Sequence, residues 1–93
     1  MKSINVANVV RYIASGNMDV VRRLRDAVEA KLRRCKVDPA TVAAGKLPPT
    51  SATEAVTYNE GGVLAYVADV GRRDADGIKA LKTILSACRA RGL

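Results

Sequence analysis

The 93-residue chain is 48% apolar and carries a net charge of +7, which argues against a disordered segment and for one globular domain spanning 1–93. It has no histidine and only two cysteines, so imidazole-based catalysis, a disulfide framework and a cysteine–histidine zinc site are excluded. The apolar residues are mostly Ala, Val, Leu and Ile, with Tyr12, Tyr58 and Tyr66 the only aromatics, so the expected core is modest and self-association as a homo-oligomer would support it.

The first predicted element is a helix over residues 4–14. Val6, Val9, Val10 and Ile13 fall on one side, Ser3 is placed to cap it, and Gly16 ends it. Asn17 then caps a long amphipathic helix over 18–36, with Asp19 in its first turn. Its apolar stripe is Val21, Leu24, Val28, Leu32 and Cys35, at steps of three and four. Residues 14–24 resemble the inter-helix turn of an ankyrin unit. The Thr-Pro-Leu-His signature and a second copy are absent, so the stretch reads as a generic helical hairpin.

Asp38-Pro39 is a cap followed by a proline at the first helical position, which predicts a short helix to about Ala44. Residues 37–49 are similar to the start of the recognition helix in phage-repressor-type helix-turn-helix domains, but they offer only Thr41 and Lys46 as polar readers. The segment 45–52 holds Pro48 and Pro49 and reads as an internal linker. Residues 53–67 support two readings. Val-Thr-Tyr58, Asn59-Glu-Gly-Gly62 and Val63-Leu-Ala-Tyr-Val67 fit a β-hairpin, which the β-branched residues and paired glycines favour. Ser51-x-x-Glu54 is also a capping box, and Val63, Tyr66, Val67 and Val70 keep helical spacing. The last element is an amphipathic helix from Asp74 or Asp76 to about Arg91, with Ile78, Leu81, Ile84, Leu85 and Cys88 as its stripe. The expected fold is therefore α+β and mainly helical, with two long helices, a short helix and a β-hairpin. An all-α bundle is the alternative.

Charge is unevenly distributed. Residues 11–36 hold eight basic groups against three acidic, residues 72–91 hold six against two, and the middle is mildly acidic. At about 100° per residue, Arg22, Arg25 and Arg33 share a face with Asp26 and Glu29 and are compensated. Arg23 and Arg34 lie on another edge with Ala27 and Ala30 between them and no acidic group nearby, which marks them as unpaired. In the last helix Lys79, Lys82, Ser86 and Arg89 form a stripe free of acids, which Arg72 and Arg73 would extend. Arg11, beside Asn5, Asn8 and Tyr12, is the remaining basic group of interest.

These groups predict a small nucleic-acid-associated binding protein, a regulator of phage or plasmid type, contacting phosphates through basic helix faces. The alternative is a protein-interaction module, an inhibitor, adaptor or assembly subunit, docking on an acidic protein surface or on its own copies. Catalysis is not expected. Gly45-Lys46 runs into Leu47 without the upstream glycine of a phosphate loop, and Asp74-Ala-Asp76-Gly77 lacks the remaining ligands of a calcium loop. No cofactor, metal or small-molecule substrate is implied. No uncharged run approaches the roughly 18 residues of a membrane span. Asn5, Asn8 and Arg11 interrupt any signal-peptide core, so a cytoplasmic protein with two reduced thiols is expected.

Overall fold

The computed structural model describes residues 4–48, 58–70 and 75–93. Among them are four α-helices, α1 (Val6–Ser15), α2 (Met18–Arg34), α3 (Glu60–Val70) and α4 (Ala75–Ala90), plus one 3-10 turn at Pro39–Thr41. There is no strand among the described residues, so the α+β expectation is corrected to the all-α alternative.

The residues read as the second half of a hairpin form α3. Asn59 carries the local signal for it. Its carbonyl accepts the Val63 N–H, and its side-chain oxygen accepts the Gly62 N–H at 2.6 Å, an N-cap with Glu60 following in the first turn. Val63, Val67 and Val70 then bury one face, and that burial outweighs the β preference of their branched side chains. The upstream part of the expected hairpin, and the Ser51/Glu54 capping box, lie outside the described residues.

The first two helices follow from local chemistry. Asn5 caps α1 through a bond from the Asn8 N–H, the expected cap Ser3 lying outside the described residues, and Asn17 caps α2 through the Asp19 N–H at 2.8 Å. The end of α2 carries Lys31, Arg33 and Arg34, which complement the negative end of the helix dipole. It closes in a Schellman turn. Lys36 donates to the Arg33 carbonyl and Val37 to that of Leu32, with Lys36 in the left-handed region at φ 61°. α4 ends the same way, with Gly92 at φ 93° in the equivalent place. The short helix expected to run to Ala44 is a single 3-10 turn, capped by Asp38, after which residues 42–48 form no regular element.

α4 is the central helix. It packs against α1, α2 and α3, whereas α1 and α2, though joined by Gly16-Asn17, make little contact with each other. The core is aliphatic: Val9 and Ile13 from α1, Val21, Leu24, Val28 and Leu32 from α2, the three valines of α3, and Leu81, Ile84, Leu85, Ala87 and Cys88 from α4. No polar or charged residue is buried among the described residues. Tyr58, just before α3, packs its ring against Tyr12 with centroids 6.4 Å apart.

Two arginines near the end of α4 tie the helices together. Arg89 donates to the carbonyls of Val42 (2.7 Å), Pro39 (2.9 Å) and Leu93 (3.2 Å) and forms an ion pair with Glu29 of α2 (3.1 Å). Arg91 donates from Nη1 to Ile13 (2.6 Å), Gly16 (3.0 Å) and Ala14 (3.1 Å), carbonyls at and just beyond the C-terminus of α1. Neither cysteine is in a disulfide. Cys88 is buried and Cys35 only half-buried, so Cys35 is a helix terminus rather than a core position.

Candidate nucleic-acid interface

The site is built by α1, α4 and the segment after the 3-10 turn. Lys79, Lys82, Thr83 and Ser86 follow one another up one face of α4 at helical spacing. Opposite them runs the chain from Thr41 to Lys46, pinned by two backbone contacts. Arg89 holds the Val42 carbonyl, and the Gly45 N–H donates to the Ser86 carbonyl at 3.1 Å. Gly45 allows this approach, because a Cβ there would collide with the Ser86 hydroxyl. The space between is an open groove of about 480 Å³ lined by Val10, Thr41, Val42, Lys46, Lys79, Lys82, Thr83, Ser86 and Ala87.

Its electrostatics are one-sided. Lys46, Lys79 and Lys82 are exposed, and among the described residues their side chains make no ion pair and no carboxylate lines the groove. The Thr41 and Thr83 hydroxyls already donate to the carbonyls of Asp38 and Lys79. The Ser86 hydroxyl donates to nothing among the described residues, which leaves it available to a ligand. Three ammonium groups, one free hydroxyl donor and a floor of Val10, Val42 and Ala87 can hold a phosphate-bearing anion.

The remaining sequence-derived residues divide sharply. Arg89 lies on the same stripe as Lys79 and Lys82 but is turned inward, where four bonds use its guanidinium. Arg23 was expected to lack an acidic neighbour. It forms a two-pronged ion pair with Glu60 of α3, one prong at 2.9 Å, an interaction between residues 37 apart in sequence. The hydrogen bond from Arg23 holds the Glu60 carboxyl below its usual range and raises the guanidinium in turn. Arg34 is exposed and unpaired among the described residues, at the edge of a second, smaller groove. Arg11 is exposed on α1, outside the lining of the lysine groove. Arg72 and Arg73 lie outside the described residues. Of the residues expected to be compensated, Arg22 pairs with Asp19 and Arg25 with Asp26, while Glu29 serves Arg89 and leaves Arg33 without a carboxylate among the described residues.

Lys46 joins Lys79 and Lys82 only through the path of the chain after the 3-10 turn. The nearest sequence signal was its pairing with Thr41 as a polar residue of the segment. Cys88 is not a nucleophile here, since burial pushes its thiol up to about 12. No group of metal-ligating side chains occurs among the described residues, and no helix among them is long and apolar enough to cross a membrane. The chain matches no protein-family model, no curated protein and no solved structure.

Proposed function

We propose that this protein is a small nucleic-acid-associated binding protein that contacts backbone phosphates through the groove between α4 and residues 41–46. The observation that carries this reading is the convergence of Lys46, Lys79 and Lys82 on one concavity whose described lining holds no carboxylate. A structural surface would gain nothing from bringing three unpaired ammonium groups together. A polyanion gains from each one through counterion release. The described lining offers no Asn, Gln or Arg to a base edge, so binding is governed by the phosphates and is insensitive to sequence.

The test is fluorescence anisotropy with a labelled 20-base-pair duplex at low salt. Lys79→Gln with Lys82→Gln is compared with Arg33→Gln and Lys36→Gln, which remove the same net charge elsewhere. The groove pair is expected to weaken binding about tenfold or more beyond the control pair. Equal losses in the two would mean that net charge alone attracts the duplex.

A further inference from the structure

A second surface is distinct from the lysine groove in both its residues and its helices. α2 and α3 run in the same direction. Arg23 near the start of one pairs with Glu60 at the start of the other, and residues 27–34 and 64–68 line a shared groove of about 140 Å³. Its floor is Ala27, Ala30, Leu64, Val67 and Ala68, and its only charged lining among the described residues is Lys31 and Arg34.

Three properties indicate what covers it. First, α3 is apolar almost all round, with Glu60 and Asp69 its only charged residues. Its buried face is Val63, Val67 and Val70, which leaves Leu64 half-exposed and Ala65 and Ala68 exposed. A helix with that composition is normally covered on more than one side. Second, the alanines on both walls allow a third helix to approach to the 8–10 Å of close helix packing. Third, charge in the groove is polarised. Glu60 neutralises Arg23 at one end, whereas Lys31 and Arg34 at the other have no carboxylate among the described residues.

We infer that the α2–α3 groove docks an amphipathic helix of another protein, with small apolar residues on its buried face and carboxylates at the end that meets Lys31 and Arg34. A second copy of this chain is a poorer occupant. A two-fold contact sets the same patch against itself, and Glu60, at the other end of that patch, is already paired with Arg23, which leaves Lys31 and Arg34 of either copy without a spare carboxylate among the described residues. Among the described residues the surface shares no lining with the lysine groove, so a protein partner and a nucleic acid can be held together.

The experiment uses two synthetic 16-residue helical peptides with the same Ala/Leu face, one flanked by Glu and the other by Lys, titrated against the full chain by anisotropy. The Glu peptide is expected to bind at least tenfold more tightly than the Lys peptide. It should lose at least tenfold in affinity with Lys31→Glu and Arg34→Glu together, and also with Ala30→Phe, which fills the groove. Ala30 is exposed, so thermal melts should show that the Phe variant remains folded. A 20-base-pair duplex should not displace the peptide. The inference is overturned if neither peptide binds or if both bind equally. Displacement by the duplex overturns it as well, because the acidic peptide would then be occupying the lysine groove. Sedimentation of the peptide-free protein supplies the last check, since a dimer that Ala30→Phe dissociates would make a second copy the occupant.

Discussion

Arg91 gives the most quantitative test of how this small aliphatic core is held together. Its Nη1 donates to three carbonyls at the C-terminus of α1, at 2.6, 3.0 and 3.1 Å, and the side chain is half-buried. Arg91→Met keeps the stem and removes the donor. The loss comprises charged-donor hydrogen bonds, about 1.5–3 kcal/mol each for a full bond, shared here among three acceptors. A cation near a helix C-terminus adds about 0.3–1 kcal/mol. One nitrogen has two hydrogens, and water reaches part of the site, so the sum is about 2–3 kcal/mol. At about 4–8 °C per kcal/mol for a domain of this size, Tm should fall by roughly 10–20 °C. Urea unfolding followed by circular dichroism checks this, with an unchanged m-value showing that stability rather than compactness has altered. Arg11→Met, the same chemical change at an exposed residue without a side-chain partner among those described, should cost less than about 0.5 kcal/mol. If Arg91→Met were as mild as Arg11→Met, the clamp would not be a source of stability.

Three further outcomes follow from backbone and burial. Lys36→Gly should stabilise the protein by about 0.5–1 kcal/mol in urea melts, because Lys36 sits at φ 61° where a Cβ is penalised. Gly16→Ala should destabilise it by about 1–3 kcal/mol, since a Cβ would lie 2.7 Å from the Tyr12 carbonyl oxygen, a backbone atom that cannot rotate away. Burial raises the Cys88 thiol from 9.0 to about 12, so the unfolded chain ionises first as pH rises. The thiol's contribution is intact below pH 9 and should then decline by about 1.4 kcal/mol per pH unit towards 12. Chemical denaturation at pH 8, 10 and 11 should show a steeper decline for the wild type than for Cys88→Ala.

Much of the helical framework was legible because its signals are local. The stripe Val21, Leu24, Val28 and Leu32 repeats at helical spacing, Asn17 caps it, and the last helix carries its own stripe from Leu81 to Cys88. Around Val63–Val70 the branched residues and paired glycines favour strands, and the competing cap at Asn59 falls within the expected hairpin loop. Tertiary burial against α2 and α4 decided it. The α4 face was legible as a periodicity, but no periodicity distinguishes Lys82, which faces the groove, from Arg89, whose partners come from three other segments. Lys46 and Glu60 are the harder cases. One reaches the groove, and the other reaches Arg23, only because of where an intervening segment places them.

The salt dependence of duplex binding tests the central claim most directly. Three groove lysines should contribute about −2.7 to the slope of log K against log salt, a loss of roughly 40-fold between 50 and 200 mM. In Lys79→Gln with Lys82→Gln the slope should become shallower by about 1.8 while the melting temperature is unchanged. A slope that stays the same in that folded variant would show that the phosphates do not lie against α4.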